Sequence, residues 1–238
     1  MRIERAPRPS LATHVARLSA TRSVSAAPLL PDAAVELVWS GTGLFVRGAD
    51  TRPFAVGSFP ERTFVVLTFR AAAAAGVLGL AGRALADTRV GISELWGRTE
   101  QGRLESLLAA ATPREAMTIL EDAVEARARE APDPAVQAAV ALLRSPRTRI
   151  RDLAEGLGIS ERQLHRRCVA ALGFGPKTLD RILRFQRFRS LSLTRPQLGL
   201  AQLATEAGYA DQAHLTREAL RLGGATPQTL VSETFKTS

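Results

Sequence analysis

Between Ser160 and Cys168 the chain places Arg162, His165, Arg166 and Arg167 at the spacing of one helix, with Leu164 and Cys168 turned the other way. Guanidinium groups and an imidazole in such a row can meet phosphate oxygens and base edges, which is recognition chemistry rather than bond-making chemistry. Residues that break bonds are scarce. The chain has three histidines, His14, His165 and His214, and no motif gives any of them a partnered nucleophile or a set of metal ligands. The single cysteine, Cys168, falls on the inward side of its helix, where a small buried hydrophobe is its usual role. One cysteine also excludes a disulfide framework within the chain and fits a reducing cytoplasm. Neither an enzyme nor a cofactor nor a metal site is expected.

The elements that would position the basic row are written in the same stretch. Ile150, Leu153, Ala154 and Leu157 give a first helix one apolar face, Gly158 can take the positive φ of a sharp turn, and Ile159 plugs the corner. Ser160 followed by Gln163 is a capping box, so a second helix starts at Glu161. Two helices joined this way predict a helix-turn-helix whose second helix, near 161–170, reads DNA. An ordinary helical hairpin with a solvated basic face is the competing reading.

The pattern then recurs. Leu200, Leu203, Ala204, Ala207 and Gly208 repeat Ile150, Leu153, Ala154, Leu157 and Gly158 at an offset of 50. Asp211, Leu215, Arg217, Gly224 and Pro227 repeat Ser160, Leu164, Arg166, Gly173 and Pro176 at an offset of 51, so the second turn is one residue longer. A second reading helix is expected near 212–222. Between the units, Thr178–Leu193 reads as one helix with Leu179, Ile182, Leu183 and Leu191 inward and Arg181, Arg184, Arg187 and Arg189 outward. It would be a stiff spacer of roughly 24 Å at 1.5 Å per residue.

Charge follows this division: net charge is +9 overall, +2 over residues 1–132 and +7 over residues 133–238. The basic excess thus sits with the repeats and favours a polyanionic partner, double-stranded DNA. The longest apolar stretch, Ala71–Ala81, is too short to cross a bilayer, so no membrane partner is expected.

The preceding residues read differently. Residues 1–27 show little periodicity beyond Leu11, Val15 and Leu18 and are read as an arm with one short helix. Val35–Trp39, Gly41-Thr42-Gly43 and Leu44–Arg47 read as a β-hairpin; Phe54–Phe59 and Thr63–Phe69 read as further strands, the last central to the sheet. Ala71–Leu80 and Glu100–Ala110 are helix candidates, which makes residues 28–112 an α+β domain with a small antiparallel sheet. Most aromatics of the chain lie here, and an apolar pocket among Trp39, Phe45, Phe64 and Trp96, with Glu36 and Arg70 as orienting charges, would give the domain a sensing role for a small-molecule effector. Packing in the core is the alternative for each aromatic. Pro113–Glu130 reads as an exposed connector helix, and Pro132-Asp133-Pro134 marks a boundary, so residues 113–133 are read as linker and 134–238 as the all-α DNA-binding domain.

Leu153-Ala154, Gly158-Ile159-Ser160 and Leu164-His165-Arg166, then Leu203-Ala204, Glu206–Gln212 and Thr216-Arg217, each set followed by its Gly and Pro, resemble the AraC/XylS family of bacterial transcription regulators. The resemblance covers residues 134–232 and implies two helix-turn-helix units joined by a long helix. Carried over position by position, it implies Arg162, His165 and Arg166 as base readers in the first unit, and Gln212, Ala213, Thr216 and Arg217 in the second. It also implies activation and contact with RNA polymerase; for residues 28–112, dimerisation into a homodimer is the alternative to a sensing role. Cys168 and Ala219 stand where the family commonly has Phe, which puts the packing of both units in question. Residues 28–112 resemble, through Leu30-Pro31-Asp32, Leu37-Val38-Trp39, Phe69 and Leu95-Trp96-Gly97, the short N-terminal domain of a subset of these regulators. A ligand-sequestering protein, with the N-terminal domain primary, is the alternative function.

Overall fold

The structure, a computed structural model, describes residues 2–23, 28–55 and 60–236. Among these, six strands of the first half pair antiparallel throughout: β1 (Arg2–Arg5), β2 (Val15–Ser23), β3 (Glu36–Trp39), β4 (Leu44–Arg47), β5 (Arg62–Phe69) and β6 (Arg89–Gly91), in the order β1-β2-β5-β3-β4-β6. The β3–β4 hairpin closes through Ser40, whose N–H donates to the Gly43 carbonyl at 3.1 Å. The near-continuously apolar β5 lies inside the sheet, as its composition predicts.

The expected N-terminal arm is instead two strands of this sheet. A register shift between Val15 and Arg17 breaks the period of two in β2, so Leu11, Val15 and Leu18 mimic helical spacing in the sequence. Phe54 forms only an isolated bridge with Leu29, and residues 56–59, the rest of that expected strand, lie outside the described residues. The Ala71–Leu80 candidate narrows to α1 (Ala74–Leu78), because Ala72 (φ +67) and Gly79 (φ +69) take the chain out of helical geometry on either side.

Side chains at paired positions share a face, so the register sorts the sheet's residues. Leu18, Leu37, Trp39, Leu44, Val46 and Leu67 point to the helix-covered side and are buried. That side is covered by α3 (Arg98–Ala110) and α4 (Pro113–Glu125), with the short α2 (Ile92–Trp96) beside them. Helix α4 is therefore no exposed connector. Ala116, Met117, Leu120, Ala123 and Val124 form a buried stripe against β5 and β2, while the charges that dominate its sequence face solvent, except Glu121. Glu121 is 2% exposed; its carboxylate accepts from Arg5 Nη2 at 2.6 Å and from the Arg8 backbone N–H at 2.8 Å, which fastens β1 and the following turn to the helix.

The second half is helical: α5 (Pro134–Leu142), α6 (Ile150–Gly156), α7 (Glu161–Leu172), α8 (Pro176–Thr194), α9 (Leu200–Ala207), α10 (Gln212–Gly223) and α11 (Pro227–Lys236). It meets the first half closely. A Cβ on Gly82 would lie 2.5 Å from the Ala170 carbonyl oxygen, and one on Gly173, the left-handed cap of α7, 2.4 Å from the Gly82 carbonyl oxygen. Backbones approach this closely only where both residues lack a side chain. Gln186 of α8 also donates to the Pro31 carbonyl.

Candidate nucleic-acid interface

In the first unit the cap forms as its spacing predicts. Gln163 N–H donates to Ser160 Oγ at 3.2 Å, Ser160 N–H donates to Gln163 Oε1 at 2.8 Å, and Gly158 takes φ +66 in the turn. With Leu164, Cys168 and Leu172 buried, α7 presents Arg162, His165 and Arg166 to solvent. The His165 ring lies over the start of α8, where a Cβ on Gly175 would come within 2.5 Å of it. Arg167 belongs to a different face: its guanidinium pairs with Asp133 at 3.3 Å, and Asp133 also caps α5. Burial pushes the Cys168 thiol up to about 11, with the Asp133 charge adding to it.

In the second unit Asp211 Oδ1 accepts from the His214 N–H at 2.6 Å, which starts α10. Gln212, Ala213 and Arg217 are exposed; Thr216 is half-buried and its hydroxyl donates to the Gln212 carbonyl at 2.9 Å. His214 is turned inward, edge-on to buried Tyr209 with ring centroids 5.2 Å apart. Arg166 and Arg217, each six residues after its cap, stand exposed at equivalent places, and neither has an acidic partner among the described residues.

Helix α8 joins the units over 19 residues, roughly 28 Å at 1.5 Å per residue. Its arginines do not point freely outward as expected. Arg181 grips Glu218 of α10 with two hydrogen bonds of 2.7 and 3.0 Å. Arg187 donates to the Leu143 and Arg144 carbonyls at the end of α5 and to the Ala207 carbonyl at the end of α9. Arg184 pairs with Asp180, and Arg189 is half-buried near Asp32, with burial lowering its pKa and Asp32 opposing that. The inward face carries two residues the apolar count passed over, Phe185 and Phe188, both fully buried. The Phe185 ring sits against Gly223 of α10, one turn beyond Ala219, and so brings aromatic bulk from α8 into the second unit.

Of the six residues expected around a ligand, Arg70 borders a cavity, while the other five are divided by the sheet. Glu36, Phe45 and Phe64 lie on one face; Trp39 lies on the other, and Trp96, in α2, is covered by the Arg127 guanidinium at 4.0 Å from the ring centroid. Glu36 is buried in a polar row across the strands: it accepts from Arg47 at 2.8 Å and from Thr68 at 3.3 Å, and Thr68 accepts from Arg17 at 3.4 Å. Burial raises the Glu36 pKa, and Arg47 only partly offsets this. A cavity of about 800 Å³ opens elsewhere, between the sheet and helices α5 and α8, and none of those five lines it. Arg17, Thr68 and Arg70 border it from the sheet side, with Arg144, Leu183 and Gln186 opposite.

Residues 153–232 match the family model described as a helix-turn-helix domain. This segment is an AraC-type helix-turn-helix domain. The matched segment is accordingly a DNA-binding domain of the kind found in regulators of transcription. Among solved structures, ToxT from Vibrio cholerae in its P21 form is 11% identical, with a TM-score of 0.50 over 90% of this chain and 97% of that one. Unsaturated-fatty-acid-bound ToxT from the same organism is 11% identical with a TM-score of 0.47, covering 97% of this chain and 94% of that one. The C-terminal domain of AraT, a response regulator from Geobacillus stearothermophilus, is 21% identical with a TM-score of 0.40, covering 42% and 86%. At such identities the likeness to ToxT concerns the fold alone: a sheet-containing N-terminal part followed by the helical domain. No curated protein matches the sequence. Among the described residues no helix is long and apolar enough to cross a membrane.

Proposed function

We propose that the chain is a sequence-specific regulator that reads two successive major grooves, with α7 in one and α10 in the next. Residues 134–238 are the reading domain, and the preceding residues are a sensing or dimerising domain. Arg162, His165 and Arg166 take base edges and phosphates in the first groove, and Gln212, Ala213, Thr216 and Arg217 in the second. The observation that carries this is the equivalent exposure of Arg166 and Arg217 on two capped helices braced by one helix, α8. Two bidentate arginine–guanine contacts one turn of DNA apart would fix both sequence and spacing. Selecting duplexes from a random library tests it: two base clusters centred about 10 base pairs apart are expected, and a single cluster would overturn the two-groove reading.

The interdomain cavity favours a second element, response to an effector. Arg17, Arg70 and Arg144 outnumber Asp32 on its walls, and Leu183 and Phe69 supply apolar surface, so an anionic compound with an apolar body fits its chemistry. Glu36 stands behind that wall through Thr68. A ligand held there would touch both the sheet and α8, and so could bias the reading domain. A carboxylate panel that raises the melting temperature of the wild type but not of Arg70→Glu supports it; equal shifts for both proteins would place the ligand elsewhere. Contact with RNA polymerase and pairing with a second copy complete the reading as an activator.

A further inference from the structure

The two units are alike in shape and unlike in charge. Residues 144–172 carry seven arginines against three acidic residues, a net +4, whereas the equivalent residues 194–223 carry three against three, a net of zero. Arg147, Arg149 and Arg151 of the first unit correspond to Gln197, Gly199 and Ala201 of the second. Ion pairing leaves the excess of unpaired arginines in the first unit. Arg144, Arg147, Arg149, Arg162 and Arg166 have no acidic partner among the described residues, while in the second unit Arg195 is neutralised by Glu206 and only Arg217 and Arg221 remain. Beside the first unit, where the loop before α6 meets α8, lies a hollow of about 580 Å³ bordered by Arg147, Thr148, Arg149 and Arg184. Its one acidic residue, Asp180, is already engaged by Arg184.

We propose that this hollow seats a backbone phosphate of the bound duplex, and that the first unit carries the sequence-independent grip on DNA while the second adds recognition with little charge. The proposal rests on the DNA-binding reading above and divides the labour within it. Phosphate neutralisation releases counterions, so the grip is read from the salt dependence of affinity, each contact contributing about 0.9 to the slope of log affinity against log salt. A second unit without net charge engages only where its base contacts repay the ordering, and random sequence should be held by the first unit alone.

The full chain is titrated with a selected operator and with a random-sequence duplex over a range of chloride concentrations. Arg147→Ala/Arg149→Ala should lower the slope by about 2 on both duplexes, with an unchanged melting temperature because both side chains are exposed. Arg195→Ala/Arg221→Ala should leave the random-duplex slope as it is. An unchanged slope in the first variant, or an equal fall in the second, overturns the proposal. Inorganic phosphate at matched ionic strength separates the sources of the anion: if it raises the melting temperature of the wild type but not of Arg147→Ala/Arg149→Ala while duplex slopes agree, the hollow serves a free phosphate and the backbone assignment fails. Should the wild type bind neither duplex, the DNA-binding reading falls as well; if it selects an operator and only the slope prediction fails, that reading stands without the anchor.

Discussion

Burial alone would push the Glu121 carboxyl up, yet hydrogen bonds from Arg5 and from the Arg8 backbone N–H, with the charges of both arginines, hold it below the usual carboxylate range. A depressed carboxylate adds stability that is present above its unfolded pKa, near 4.3, and is lost as pH falls through the folded value. Glu121→Gln should therefore lower the unfolding free energy by roughly 2 kcal/mol at pH 7, and the difference from the wild type should shrink below about pH 4 in urea titrations. A difference that persisted unchanged at pH 3 would assign the effect to packing instead. Cys168 makes the opposite case, since burial that raises a thiol to about 11 leaves almost no thiolate. A disulfide reagent at pH 8 should react with it only after unfolding, and rapid modification of the native chain would contradict its placement. The inward side of Cys168 was legible from helical spacing alone. The role of Glu121 was not, because its partners lie more than a hundred residues away in sequence.

At the scale of elements, what depends on neighbours three or four residues apart was readable and what depends on distant partners was not. The Ser160–Gln163 box and the Asp211 cap are local, and both formed. Ser160→Ala and Asp211→Ala should each cost about 1 kcal/mol, and the double variant about the sum, because the two caps share no partner. A double variant no worse than either single one would mean that the units unfold as separate bodies. The bulge in β2 hid a strand, so that element was misassigned; α4 formed as the expected helix from Pro113, but its charged surface hid a buried stripe. The arginines of α8 were misplaced for a similar reason: periodicity shows that a side chain leaves the apolar face but not that Glu218 or three helix-end carbonyls await it. Arg181→Ala should accordingly loosen α10 and weaken operator binding more than random-duplex binding, as competition between the two duplexes would show. A uniform loss would instead assign Arg181 to a phosphate contact.

Across the whole molecule, the two-part order and the DNA-binding half were legible, and the contact between the halves was not. Deleting α9–α11 is a poor test of the second unit, since it would strip cover from Phe185 and remove the Ala207 carbonyl from Arg187. Surface substitutions are better. For the interdomain seam, Gly82→Ala places a methyl 2.5 Å from the Ala170 carbonyl and forces one backbone to move. Overpacking of this kind costs roughly 1–3 kcal/mol, and a Gly82→Ala protein that melts like the wild type would show that the halves are not held there. The central claim is base reading by Arg166 and Arg217, and it is tested most directly by binding Arg166→Ala and Arg217→Ala to a panel of single-base operator variants. Each substitution should erase discrimination of roughly 1–3 kcal/mol at its own cluster of positions and leave the other cluster intact; a uniform loss across the panel for both would assign the two arginines to phosphates and contradict the account.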